Sequence, residues 1–134
     1  MLAETYFAYA EIREKQDKAL RFIENAVAAG YHDIVIAAPT GSGKTGIGTS
    51  LCFGAGALPG SSPARGYYLT SQKLLQDQIT DDFPRMRFNT GASLKSAAEY
   101  ACKPKSNCAV GAHACTNLSC PYKMAKAKWV QATL

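Results

Sequence analysis

The segment Ala38 to Thr45, APTGSGKT, carries the residue types that hold a nucleoside triphosphate. Its form is A-x4-G-K-T, a phosphate-binding loop with alanine in place of the usual first glycine. Gly41 and Gly43 leave main-chain N–H groups unobstructed around phosphate oxygens, Lys44 brings an ammonium to the outer phosphates, and the Thr45 hydroxyl is suited to magnesium. Pro39, Thr40 and Ser42 complete the nucleotide-binding set, and Lys44 and Thr45 are the residues expected to act on the triphosphate in catalysis. The competing explanation is a glycine-rich turn that happens to contain Lys and Thr.

Such a loop works when the positive end of a helix stands directly behind the anion. The flanking sequence predicts that setting. His32 to Ala37 is a short β-branched apolar run that reads as a buried strand, and residues from Lys44 onward can start a helix. A second strand is expected at Gly66 to Leu69, with Thr70 and Ser71 at its carboxyl end. A helix from about Gln72 should follow, burying Leu74, Leu75, Gln78 and Ile79. Strand, helix, strand, helix implies an α/β fold with a partial parallel sheet and right-handed crossovers. Ligands gather at the carboxyl ends of such strands, where Thr40 and Thr70 would lie. Upstream, Ala19, Leu20, Phe22, Ile23, Ala26 and Val27 recur at helical spacing and predict one apolar helix face closed by Gly30. Phe53 to Arg65 reads as a surface connection, and Met86 to Ala92 has room for one short strand.

At 134 residues, 47% of them hydrophobic, the chain suits one core, or one core with a small insert. A net charge of +5 favours a polyanionic partner, although a modest excess is also common on plain soluble proteins. No apolar run approaches the roughly 18 residues of a membrane helix, and Met1 to Ala10 lacks the basic-then-apolar pattern of a signal peptide. A cytoplasmic, bacterial or phage-encoded protein without a membrane partner is expected, as a monomer.

Four of the five cysteines crowd into Cys102, Cys108, Cys115 and Cys120, a C-x5-C-x6-C-x4-C spacing. Zinc sites usually present tight C-x2-C pairs, which are absent, whereas wider spacing suits the larger cage of an iron-sulfur cluster. Cluster, zinc and plain thiols remain the three readings. His113 lies inside the cluster and reads as a loop residue, because four thiols are already present. Cys52, between Leu51 and Phe53, reads as a small buried hydrophobe.

Taken together, an R-x-x-Q helix start at Arg13 and Gln16, APTGSGKT, Thr70-Ser71 with Leu74-Leu75-Gln76-Asp77-Gln78, and a four-cysteine insert resemble the amino-terminal part of the iron-sulfur helicases of the DinG and XPD type in superfamily 2. Leu94 to Cys102 is similar to that family's LKGRxNYxC segment, and Cys120-Pro121-Tyr122 to its CPY. The chain departs from the pattern at Ser96 and Ala97, which stand for Gly-Arg, and in the short gap between Cys102 and Cys108. The resemblance implies a RecA-like ATP-binding motor domain over residues 1–93, an iron-sulfur insert over 94–122, and the start of a returning helix over 123–134. It implies that Arg13 and Gln16 meet adenine, since a glutamine amide matches a donor-acceptor edge. It also implies that Thr70, Ser71 and Gln76 grip a DNA backbone, and that the four cysteines ligate a four-iron four-sulfur cluster. ATP, magnesium and single-stranded or forked DNA are the implied cofactors and partners.

No acidic pair of the DEAH kind follows Thr45, since Asp81-Asp82 lacks an apolar strand before it. The chain therefore reads as the front end of an ATP-dependent DNA helicase, a fragment or an incomplete product inactive by itself. The rival is a stand-alone nucleotide- and nucleic-acid-binding module without turnover. A small nucleotide kinase explains neither the cysteines nor the Thr70 to Gln78 motif.

Overall fold

The computed structural model describes residues 2–60, 66–88, 91–101 and 120–133. Helices α1 (Leu2–Thr5), α2 (Glu14–Ala28), α3 (Lys44–Gly54), α4 (Lys73–Asp82) and α5 (Pro121–Thr133) follow one another, with single 3-10 turns at Ala55–Ala57, Phe83–Arg85 and Ala97–Glu99. The chain divides into two compact units, Met1–Ser71 with Asp81–Asn89, and Gln72–Thr80 with Thr90–Leu134.

In the first unit α2 has a defined start and stop. Glu14 and Asp17 place negative charge in its first turn, where the helix dipole favours it. Gly30 ends it with a positive φ of 88°. Its N–H reaches the Val27 carbonyl at 2.9 Å, and the Tyr31 N–H reaches Ala26 at 3.0 Å. These two bonds form a Schellman cap, which satisfies carbonyls that the last turn would otherwise leave unpaired. The core joins Leu2, Ala3 and Phe7 of the amino-terminal arm to Leu20 and Ile23 of α2 and Ile47 of α3. Phe22 is turned away and is 57% exposed. It lies about 200° round the helix from Leu20, so the buried stripe is narrower than the apolar spacing suggests. The arm, which carries no clear periodicity, is thus part of the core. Arg21 holds it further, pairing with Glu4 at 3.3 Å and with Asp17 at 2.9 Å.

The expected parallel sheet is corrected: among the described residues there is no strand. His32 to Ala37 and Gly66 to Leu69 are irregular. Ile34 packs against the core, yet Val35 is 92% and Leu69 89% exposed. The physical reason lies in the ladder. A strand of a parallel sheet is buried only when neighbouring strands pair with its backbone and helices cover both faces. Among the described residues no segment does this for either run. Met86 to Phe88 is likewise not a strand, although Met86 is buried and the Arg87 N–H bonds the Ala8 carbonyl at 2.8 Å.

In the second unit the residues of α4 from Lys73 to Thr80 are tied to the segment 93–99. Lys73 pairs with Glu99 and Lys95 with Asp77. Ile79 is buried, but Leu74 is 70% exposed and Leu75 38%, so the apolar side of α4 is also slimmer than its sequence implies. The Tyr100 and Tyr122 rings stand 5.4 Å apart at the start of α5. Cys120, buried, lends its carbonyl to the Met124 N–H at 3.0 Å and so begins that helix. Cys102, Cys108, Cys115 and His113 lie outside the described residues.

Candidate nucleotide-binding site

The loop before α3 has the backbone that its sequence demands. Gly41 and Gly43 adopt φ values of 76° and 80°, in the left-handed region that residues with a Cβ rarely enter. Gly43 caps α3, and Lys44 is the first helical residue. The first turn of a helix offers N–H groups without intrahelical partners together with the positive end of its dipole, an arrangement suited to phosphate.

The ammonium of Lys44 is exposed and folds back on its own loop, donating to the Ala38 carbonyl at 3.1 Å and the Pro39 carbonyl at 2.8 Å. Among the described residues no carboxylate pairs with it. Its charge rests on neutral oxygens, so an arriving phosphate displaces only weak partners. Pro39 is a hub of the loop, because its carbonyl also accepts the Ser42 hydroxyl at 2.8 Å. Thr40 is exposed, and Thr45 is half-buried one residue into α3. The structure thus brings Pro39, Thr40, Gly41, Ser42, Gly43, Lys44 and Thr45 together, as the motif requires.

Gln16 joins them from α2. Only 6% exposed, its side-chain amide accepts the Arg13 N–H at 3.0 Å through Oε1 and donates through Nε2 to the Gly43 carbonyl at 3.2 Å. A Cβ at Gly43 would overlap this amide, and one at Gly46 would press on it at 3.0 Å. Arg13 has its side chain in solvent.

Two residues that sequence reasoning passed over, Ser50 and Tyr9, make tertiary hydrogen bonds in the same unit. Ser50, fully buried, donates to the Gly46 carbonyl at 2.5 Å and accepts the Ala8 N–H at 2.9 Å. Tyr9 donates to Asp82 at 3.3 Å. Burial, and then the Asp82 carboxylate, pushes the Tyr9 phenol up to about 12. Asp82 also faces Arg85 at 3.7 Å, so this acidic pair is engaged in structure. The small residues at 43, 46 and 50 were the available signal, since their spacing puts them along one side of α3.

The expected DNA-gripping residues fall in different units. Thr70 and Ser71 follow the irregular run of the first unit. Gln76 belongs to the second, where its amide donates to Ser93 Oγ at 2.8 Å and the Leu94 carbonyl at 2.9 Å. Of the four expected cluster ligands only Cys120 is described, and among the described residues no group of three or more metal-ligating side chains converges. No helix of the described residues is long and apolar enough to cross a membrane.

No curated protein and no solved structure matches this chain. The sequence profile described as Type III restriction enzyme, res subunit matches residues 9–117, a span that contains the Gln16 helix start, the glycine loop and α4. With that span covering most of the sequence, and with a glycine loop at a helix start inside it, the chain belongs to the Type III restriction enzyme res subunit family, a superfamily 2 helicase-type nucleotide-binding domain.

Proposed function

We propose that this chain is the ATP-binding part of an ATP-dependent DNA helicase of the DinG and XPD type, in which hydrolysis in the full motor drives strand separation. The observation that carries the nucleotide assignment is the left-handed pair Gly41 and Gly43 leading into α3, with the Lys44 ammonium resting on the Ala38 and Pro39 carbonyls of the same loop and, among the described residues, on no carboxylate. In this reading the loop N–H groups and Lys44 take the phosphates, and Thr45 takes magnesium. Thr70, Ser71 and the lysines of α5, Lys123, Lys126 and Lys128, supply backbone contacts to single-stranded DNA. The finer family assignment rests on the sequence pattern. It includes a four-iron four-sulfur cluster on Cys102, Cys108, Cys115 and Cys120, where the cluster would cross-link a segment poor in large apolar residues. Cys120 suits such a role in one respect, since its side chain points away from water at 3% exposure.

Calorimetric titration with ATP and magnesium tests the central claim. Saturable binding supports it, and absence of any heat that depends on Lys44 removes it. A second reading, a binding module without turnover, is favoured by Asp82. Its carboxylate is occupied by Tyr9 and Arg85, leaving Asp81-Asp82 unsuited to hold magnesium opposite Thr45. ATP hydrolysis by the chain alone would overturn this second reading, whereas binding without hydrolysis is expected of both.

A further inference from the structure

The segment 93–99 is fastened along one face of α4 by polar groups. Lys73, Gln76 and Asp77 are three and four positions apart, so they share that face. Gln76, half-buried, donates through Nε2 to Ser93 Oγ at 2.8 Å and to the Leu94 carbonyl at 2.9 Å. Two ion pairs then cross in opposite senses: Lys73 of the helix pairs with Glu99 of the segment, and Asp77 of the helix pairs with Lys95 of the segment. The Lys95 N–H donates to the Tyr100 hydroxyl at 3.1 Å and folds the segment on itself. No residue from 91 to 101 is buried, so apolar burial adds little to this attachment. The two ends differ in kind. The Gln76 bonds at 93–94 join neutral groups and are indifferent to salt, whereas the pairs at 95 and 99 are partly exposed, are screened by ions, and each shift an equilibrium by about fivefold at most.

We propose that residues 95–99 form a latch on α4, closed by the two carboxylate–ammonium pairs, and that the phosphates of a nucleic-acid single strand open it by taking Lys73 and Lys95 from Glu99 and Asp77. This rests on the nucleic-acid reading above and adds its regulation. The Lys73 side chain is 64% exposed and that of Lys95 29%, so both ammonium groups can be reached from solvent while they are paired. A phosphate offers an ammonium the same charge-assisted hydrogen bonds that a carboxylate does, so one partner replaces the other without leaving the cation unpaired. Binding of the strand therefore competes with closure of the latch. The Gln76 bonds keep 93–94 on α4 throughout, which confines the release to the residues that follow.

Two measurements on the whole chain test this. Anisotropy titration with labelled oligothymidylate at low salt compares the unaltered chain with Glu99→Gln, which removes the competitor for Lys73. Affinity should rise about threefold to fivefold, the usual worth of such a pair. Glu14→Gln makes the same change of net charge by breaking an exposed pair with Lys18 in the other unit, and it should have a smaller effect. With Lys73→Gln already in place, Glu99→Gln should give no gain. Equal gains from Glu99→Gln and Glu14→Gln, or a gain that survives Lys73→Gln, overturn the latch. Amide hydrogen exchange of the unaltered chain supplies the second readout. Exchange at Lys95 and on to Glu99 should quicken with oligothymidylate, and with salt raised from about 0.05 to 0.5 M, because ions screen the same pairs. Exchange that responds to neither overturns the proposal. If the chain binds oligothymidylate but Glu99→Gln leaves the affinity unchanged, the latch alone falls, whereas absence of binding by both forms removes the nucleic-acid reading and the latch together.

Discussion

Ala8 and Ser50, 42 positions apart in the chain, meet through a buried hydrogen bond in which the Ala8 N–H donates to Ser50 Oγ at 2.9 Å. The Ala8 carbonyl is taken by the Arg87 N–H at 2.8 Å. Both main-chain groups of Ala8, which lies outside any helix, are therefore satisfied, the N–H by the helix that follows the glycine loop and the carbonyl by Arg87. An unpaired main-chain group at this depth would cost as much as a lost hydrogen bond. The arm acts as a brace on α3.

Ser50→Ala should accordingly be costly for its size. It leaves the Ala8 N–H buried without a partner, a penalty of about 1–3 kcal/mol. Chemical denaturation should show a lowered midpoint with an unchanged slope. Ser50→Cys, which retains a weak acceptor, should recover part of the loss. A midpoint unchanged in Ser50→Ala would mean that the Ala8–Ser50 hydrogen bond contributes nothing to stability.

Lys44→Ala should leave the fold intact and weaken ATP–magnesium binding by about tenfold or more, because a charge-assisted contact to phosphate is lost while the side chain itself is exposed. Titration of both forms, with circular dichroism as the folding control, provides the measurement. Equal affinities would remove Lys44 from the site.

The glycine loop was legible in the sequence because its function is local. Eight consecutive residues dictate the backbone, and Gly41 and Gly43 adopt the conformations that their lack of a side chain permits. The helix stop at Gly30 was legible for the same reason. The strands were not, because pairing is decided by what lies beside a segment. Val35 and Leu69 have strand-like neighbours in sequence but, among the described residues, no ladder. Ser50 and Tyr9 were missed because their partners, Ala8 and Asp82, are distant along the chain. The contact between Gln16 and the loop was not legible either, because it joins the amide to the Gly43 carbonyl, 27 positions away in the chain.

Tyr9 gives the fold a defined response to alkali. Its folded-state value, pushed up to about 12 from the ordinary 10.0, means that the protonated phenol is preferred in the native state. The resulting stability is fully present below the ordinary value and is lost as pH rises through the folded one. Stability should therefore fall between about pH 10 and 12 in the unaltered chain. Tyr9→Phe should be less stable at neutral pH and should flatten that fall. Melting temperatures measured across the window decide it, and identical slopes in both proteins would assign the alkaline loss to other groups.

Nucleic-acid binding, if carried by Thr70, Ser71 and the α5 lysines, should prefer single strands and weaken steeply with salt, since released counterions supply most of such binding. Anisotropy titrations over a salt series with single-stranded and duplex oligonucleotides make the comparison. Lys123→Ala with Lys126→Ala should lower the salt slope by about 1.4, from about 0.7 per phosphate contact on a single strand. A duplex preference without salt dependence would contradict the assignment.

The cysteines provide the sharpest chemical test of the finer family reading. Anaerobically purified protein should contain iron and inorganic sulfide and absorb visible light through thiolate-to-iron charge transfer. Cys120→Ser should bleach that absorption and open residues 94–122 to protease, because a segment with few large apolar side chains depends on its metal for order. Cys52→Ser should do neither. Cys52 lies half-buried in α3, where burial pushes its thiol up from the ordinary value and so disfavours the thiolate that a metal needs. Gly66 also passes so close to the Cys52 backbone that a Cβ there would overlap it, which leaves the thiol in a packed setting. Stoichiometric zinc without sulfide would replace the cluster by a structural zinc site, and with it the DinG and XPD assignment would fall, while the Type III restriction enzyme res subunit family and the nucleotide site at Lys44 would stand unaffected.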